Sequence, residues 1–312
     1  MSSNVGILFA EGIEKNYVGA MKAYNPYFKN MFHVEKTSKR IIDVVTWQGY
    51  GLPKQRNPGQ AIAMDQILPS FDKRFTMRYF GLGDSFAKED LRDDLYGVLK
   101  RAVPSSSGMM AKMYNVLMEK EAAFFFGTQG FASGTTIAGS PDGRGLFNTA
   151  HPISKAITAT TQSNRASTDT DMSYTVAQTM ATALRTQLDH NGITILQNEL
   201  QTVVFNPAQI YIAKAIWKSK MERGTADRNE NFLPDDDVTL ISWPYWQVSG
   251  ATGTNNAFFG LAEEHSLYWY MRSSIDVDSD FDVTTKSQIV TTDVSFDYGH
   301  SDYRGTWASK GL

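Results

Sequence analysis

The sequence predicts an α+β fold, and three observations carry that prediction. Apolar and polar residues alternate with period two at two places: Phe75, Met77 and Tyr79 against Arg74, Thr76, Arg78 and Phe80, and Val290, Thr292, Val294, Phe296 and Tyr298 against Thr291, Asp293, Ser295 and Asp297. That pattern suits strands with one face buried. A tract from Phe86 to Phe126 carries helical spacing, and from Tyr174 to Ala262 predicted helices and strands alternate. With 312 residues, 42% hydrophobic and 20% charged, the chain can fill one large core or two smaller ones.

Residues 1–46 read as an arm with a short helical stretch near Gly12 to Tyr24 and a β-branched strand from Ile41 to Thr46. Residues 47–81 read as a long hairpin. Trp47 to Pro53 is turn-rich, and in Arg56-Asn57-Pro58-Gly59 proline presets φ while glycine permits positive φ. The descending strand is Lys73 to Phe80. Two strands with so few apolar residues are marginal alone, so the hairpin should rest on something else, such as a neighbouring subunit.

Asp84 or Ser85 is placed to cap a helix starting near Phe86, with Glu89 and Asp90 in its first turn and Lys100 and Arg101 in its last. Pro104-Ser105-Ser106-Ser107-Gly108 should break or kink it. A second helix, Met109 to Phe126, is expected to bury Met109, Met113, Val116, Leu117, Ala123 and Phe124 and to stop at Gly127. Residues 128–173 are loop-rich. Then come a helix from Tyr174 to His190 ended by Asn191-Gly192, a strand from Thr202 to Phe205, and a helix capped by Asn206-Pro207 that runs to about Met221. Val238 to Trp246 and Asn256 to Ala262 read as strands.

Chemistry-bearing patterns are sparse. The absence of cysteine excludes disulfides, thiolate zinc sites and cysteine nucleophiles. A net charge of −3 argues against whole-molecule electrostatic nucleic-acid binding. No basic-apolar leader and no membrane-length apolar run is present. His33, His151, His190, His265 and His300 share no metal-ligand spacing. Asp276, Asp278, Asp280 and Asp282 alternate along one strand face. The first three mimic the start of a calcium loop, but Phe281 stands where glycine is required and Ser287 where the bidentate Glu belongs. A solvated or partner-facing acidic stripe is therefore expected. Asp235, Asp236 and Asp237 with Glu230 form a second acidic cluster. No phosphate loop, nucleophile elbow or zinc-protease motif occurs, so no catalytic residue, cofactor or metal is expected.

Charge is uneven along the chain. Lys36 to Arg78 holds eight basic and three acidic residues, whereas Asp276 to Asp302 holds seven acidic residues and one lysine. Head-to-tail association would bring Lys54, Arg56, Lys73, Arg74 and Arg78 of one copy to Asp276, Asp278, Asp280 and Asp282 of another. The competing reading is two separately solvated faces.

Two motifs stand out. Gly143 to Pro152 reads G-R-G-L-F-N-T-A-H-P, a shaped loop that Leu146 and Phe147 should pin, with His151 held extended by Pro152. Phe296 to Gly305 reads F-D-Y-G-H-S-D-Y-R-G. In these positions and this order, the two motifs resemble the Mu-like head-subunit branch of the Hong Kong 97-like phage capsid fold. The resemblance implies an N-terminal arm (1–46), an extended loop (47–83), a spine helix with the first part of a peripheral domain (84–172), an axial domain (173–264) and the rest of the peripheral domain (265–312). It further implies a major capsid protein whose hexameric and pentameric capsomers close into an icosahedral shell around non-specifically held double-stranded DNA. The implied partners are a separate scaffold protein, a portal and a cement protein. The implied location is the virion, after assembly in the host cytoplasm and without any membrane. Lys54 falls in the loop that some relatives cross-link, but nothing identifies its partner. The alternatives are an encapsulin-type compartment, for which no cargo groove is visible, and an α/β hydrolase using His151 with a nearby Asp.

Overall fold

The computed structural model describes residues 24–312 apart from 88, 90–92, 94–97, 133–138, 195–197, 222–230, 234–236 and 247–255. The expected helix near Gly12 and most of the Asp235–Asp237 cluster lie outside the described residues. In chain order the strands are β1 (His33–Lys36), β2 (Ile41–Trp47), β3 (Pro69–Thr76) and β4 (Arg78–Ala87), followed by the long helix α1 (Val98–Phe124). Next come β5 (His151–Pro152), β6 (Thr161–Gln162), helix α2 (Tyr174–Arg185), β7 (Leu200–Phe205), helix α3 (Ile210–Trp217), β8 (Thr239–Ser242) and β9 (Phe258–Ala262). The chain closes with β10 (Leu267–Asp282), β11 (Ser287–His300) and β12 (Thr306–Ser309). Among the described residues no helix is long and apolar enough to cross a membrane.

The chain divides into two compact units. The first comprises Met1–Ile42, Thr76–Ala122 and Trp269–Tyr298. Its sheet has the order β1-β10-β11-β4. β4 runs antiparallel to β11 over ten rungs, from Arg78 opposite Phe296 to Ala87 opposite Ser287. Val290, Thr292, Val294, Phe296 and Tyr298 are all buried, the face their alternation predicts. α1 lies on that face, where the Tyr114 hydroxyl donates to the Thr292 carbonyl at 2.5 Å. Trp269 sits 4.4 Å from Phe28 and 4.9 Å from both Phe296 and Tyr298, ring to ring. Offset aromatic contacts of this kind add about 0.5–1.5 kcal/mol each beyond area burial.

Four local expectations fail along β4, α1 and the turn that follows it. Asp84 and Ser85 do not cap a helix. They belong to β4, where the ladder to β11 outcompetes a cap worth about 1 kcal/mol. Pro104 does not break the helix, which runs unbroken from Val98 to Phe124. Gly127 does not end the helix but lies inside a wider π turn, Phe125–Gln129. Glycine is required three residues later, since a Cβ at Gly130 would sit 2.3 Å from the Phe126 carbonyl oxygen. The fourth failure is the buried stripe. The core face carries Met110, Ala111, Tyr114, Met118 and Ala122, while Met109 and Met113 are 57% and 56% exposed.

The second unit comprises Asp43–Phe75, Ala123–Tyr268 and Gly299–Leu312. Its sheet has the order β12-β9-β7-β8, with β7 parallel to β8 and antiparallel to β9. All five residues of β9 are buried. Met180, Leu184, Val203, Phe205, Trp217, Phe258 and Trp307 belong to one core cluster. Asn206 caps as expected, its side chain accepting from the Ala208 N–H with Pro207 at the first helical position. α2 and α3 both stop short of expectation, at Arg185 and Trp217. Asn191-Gly192 makes a tight turn, with Leu188 bridging Thr194, instead of ending the helix. The predicted strand Val238 to Trp246 is cut to Thr239–Ser242.

The predicted hairpin is real but displaced. Its strands are β2 and β3, so it rises from Ile41 and descends from Pro69, and residues 48–68 contain no strand. Arg78 to Phe80 leave it after Met77 to join β11. Buried Phe71 and Phe75 oppose exposed Asp72 and Arg74 along β3.

Candidate functional site

The two sequence motifs, distant along the chain, meet in the second unit. In the first motif Leu146 and Phe147 are buried, and the Phe147 ring lies 5.0 Å from Phe131 and 5.7 Å from Phe259. This places His151 at full burial, stacked at 4.0 Å and 8° on Tyr303 of the second motif. Its Nδ1 lies 2.5 Å from Asp142 Oδ2 and its Nε2 3.1 Å from Asn164 Oδ1. The Asn164 amide is oriented by its other bonds. Its Nδ2 donates to the Leu146 carbonyl at 2.6 Å and to Thr306 Oγ1 at 2.9 Å, and its Oδ1 accepts from the Asn148 N–H. Both imidazole nitrogens are therefore engaged, one by a carboxylate oxygen and one by an amide oxygen. Burial opposes the charge on Asp142, yet the His151 hydrogen bond and charge outweigh it and hold the carboxyl below its ordinary value.

Next to this pair lies a second ionic group from the same motif. Arg304 Nη1 reaches both oxygens of Asp302, at 3.0 and 2.9 Å, and the guanidinium also donates to the Leu188 carbonyl at 2.6 Å and the Ile153 carbonyl at 2.7 Å. His190 Nε2 lies 3.1 Å from Asp302 Oδ2, and the Ser70 hydroxyl is 3.2 Å from its Nδ1. Burial disfavours ionised Asp302, but the His190 hydrogen bond and the Arg304 charge prevail and lower its pKa. Gly305 completes the turn at φ +73°, where a Cβ would lie 2.3 Å from the Glu264 carbonyl oxygen. Its N–H donates to Gln187 Oε1.

Sequence reasoning found His151 but missed its carboxylate. Asp142 stands one residue before the Gly143–Pro152 motif, Asp302 and Arg304 lie inside the second motif with no partner indicated, and nothing local ties Asn164 or His190 to either. The available signal was that both motifs join charged residues to aromatic ones in turn-rich sequence, a composition suited to a cross-braced loop.

His151 has both nitrogens engaged, and the neighbouring Ser140 hydroxyl, with one proton to donate, lies within reach of Asp142 Oδ1, the Arg144 carbonyl and, at 3.5 Å, His300 Nε2. His300 is fully buried, and the loss of solvent pushes its pKa from 6.5 down to about 3, Asp142 opposing and Lys73 reinforcing the fall. The folded state thus keeps His300 neutral where the unfolded chain takes up a proton. Stability should therefore be lost as pH falls from about 6.5 towards 3. Asp142 and Asp302, both lowered, add a loss below about pH 4, where only unfolded carboxyls protonate. Thermal unfolding followed from pH 7 to 4 should show the decline, and His300→Gln should flatten its upper part. An unchanged slope in that variant would assign the decline to other groups.

The expected contact residues are dispersed. Lys54 and Arg56 are exposed on the 48–68 loop, Arg56 donating only to the Gln60 carbonyl. Lys73 donates to the Gly139 carbonyl, and Arg74 pairs with Asp43 at 2.7 Å. Arg78 pairs with Glu121 at 3.0 Å and Asp297 at 3.6 Å, and lies 4.8 Å above the Tyr298 ring. A basic residue of the β3–β4 segment and an acidic residue of β11 thus meet inside one chain. Asp276, Asp278 and Asp280 are exposed on β10. Asp282 instead accepts from the Thr284 N–H and the Thr285 hydroxyl in the β10–β11 turn, and these bonds lower its pKa. Among the described residues no group of three or more His, Cys, Asp or Glu could hold a metal ion.

One unit carries a sheet of long strands crossed by a long helix, and the other a smaller mixed sheet. No protein-family model and no curated protein matches the chain. Solved structures do. The capsid of the Myoviridae phage XM1 superposes with a TM-score of 0.55 at 12% identity, covering 92% of this chain and 91% of that one. The capsid of the native GTA particle gives 0.54 at 12% identity, with 91% and 89% covered. The procapsid of bacteriophage JBD30 gives 0.51 at 12% identity, with 100% and 77% covered. The chain has the phage capsid fold of the Hong Kong 97 type.

Proposed function

We propose that the chain is the major capsid protein of a tailed bacteriophage, many copies of which close into an icosahedral shell around packaged double-stranded DNA. The observation that carries this reading is the superposition on phage capsids over about nine-tenths of both chains. The surface supports it. The hairpin loop exposes Tyr50, Leu52, Ile62 and Met64, the last at 91%, an apolar set that a second copy would cover. In this reading the extended loop (47–83), the axial domain (173–264) and the two parts of the peripheral domain (84–172 and 265–312) are the working parts of a self-assembling subunit. Scaffold, portal and cement proteins are its partners, and the virion is its location. In this reading the role is structural, as the superposition on capsid subunits supports.

The contact between the basic loop and the acidic strand is narrowed, because Arg74 and Arg78 are paired within the chain. Lys54 and Arg56 remain as donors for Asp276, Asp278 and Asp280 of a neighbour. Electron microscopy and sizing of the purified chain, with and without a co-expressed scaffold partner, should show closed shells or capsomers. Monomers alone under both conditions would overturn the proposal. Lys54→Glu with Arg56→Glu should weaken assembly most at low salt.

A further inference from the structure

Among the described residues Met64 is the most exposed methionine, at 91%, against 57% for Met109 and 56% for Met113 and Met221, while Met31, Met118 and Met180 are buried. Its surroundings are apolar. The Gly51 N–H donates to Asp65 Oδ2 at 2.7 Å, which ties the two limbs of the 48–68 loop together. Tyr50 and Leu52, the neighbours of Gly51, are thereby brought to Met64, the neighbour of Asp65, and Ile62 is exposed on the same limb. The chain has thirteen methionines and no cysteine, so thioethers are the only sulfur centres on which a peroxide can act.

We infer that Met64 is a site of reversible oxidation by a hydroperoxide, and that its sulfoxide blocks association of the subunit. The effect on association rests on the capsid reading above, whereas the oxidation itself does not. The sulfur lone pair attacks one peroxide oxygen, the O–O bond breaks and an S=O bond forms. The other oxygen leaves as water from hydrogen peroxide, or as an alcohol from an organic hydroperoxide. Sulfur is oxidised and the peroxide reduced by the same electron pair. The product is polar where the thioether was apolar and pliable. In the free subunit water solvates the new oxygen. In a contact that a second copy makes over Tyr50, Leu52, Ile62 and Met64, the same oxygen is buried among apolar groups, and an unpaired polar group there opposes association. A Met64 already covered by a neighbour is withdrawn from the oxidant. The reaction thus selects subunits before assembly and leaves those within a shell untouched.

The full-length chain, before assembly, would be treated with dilute hydrogen peroxide and each methionine followed by peptide mass spectrometry. Met64 should convert on the order of tenfold faster than buried Met31, Met118 and Met180, and faster than Met113. By sizing and electron microscopy, the treated chain should need a concentration on the order of tenfold higher to form capsomers or shells. Met64→Leu keeps an apolar side chain of similar volume, so it should assemble and should lose the sensitivity to peroxide. Methionine sulfoxide reductase should restore assembly to the oxidised parent chain. Conversion of Met64 no faster than that of Met113 would overturn the inference, and so would an equal loss of assembly in peroxide-treated Met64→Leu. Neither result touches the capsid reading. An untreated chain that stays monomeric with a scaffold partner present would instead overturn the capsid reading and the block on association with it, while the conversion rates still decide the site.

Discussion

Replacing Arg304 with methionine should destabilise the second unit by about 3–5 kcal/mol, the usual cost of removing one partner from a buried ion pair. The side chains of Arg304 and Asp302 are 8% and 7% exposed. Without the guanidinium, the Asp302 carboxylate keeps His190 and a 3.4 Å bond from the backbone N–H of residue 304, and the Leu188 and Ile153 carbonyls lose the guanidinium as a donor. Arg304→Lys should recover less than half of the loss, because an ammonium cannot reach a carboxylate and two diverging carbonyls at once. The denaturant midpoint, followed by tryptophan fluorescence, measures both. A shift within about 0.5 kcal/mol for the methionine variant would show that the group contributes nothing to stability.

His151→Ala should cost a similar amount, about 3–5 kcal/mol, for a different reason. It leaves the Asp142 carboxylate, 3% exposed, without its imidazole partner, and it opens a cavity against the Tyr303 ring. Asp142→Asn should be less severe, and the double variant should cost less than the sum of the two, because one pair is being removed. Equilibrium unfolding of the four proteins completes the cycle. Strict additivity would mean that the 2.5 Å contact carries no coupling. A hydrolase using His151 as its base would instead lose turnover with its stability unchanged.

Much of the fold could be read locally. The alternation from Val290 to Tyr298, the β9 strand and the Asn206-Pro207 cap require only side-chain periodicity and cap chemistry, and they stand in the structure as read. The readings that failed share one cause. Asp84-Ser85 has cap chemistry and Pro104 breaks helices in isolation, yet a ten-rung ladder and a buried helix face outweigh both. The methionine stripe failed because α1 carries two apolar faces of equal spacing, and periodicity alone cannot say which one is covered.

The candidate site divides in the same way. By itself the sequence determined that Gly143 to Pro152 is a pinned loop, that no cofactor motif accompanies it, and that the order of its motifs resembles the capsid fold. Only the tertiary structure decided that the loop and the C-terminal motif brace each other: Asp142 against His151, Tyr303 beneath it, and Arg304 on Asp302 and His190. It also decided that Arg78 meets Asp297 within the chain. The physical reason is separation. Periodicity and capping act over a few residues, whereas Tyr303 on His151, Arg304 with His190 and Arg78 with Asp297 join groups more than a hundred residues apart, whose meeting depends on how the cores between them pack.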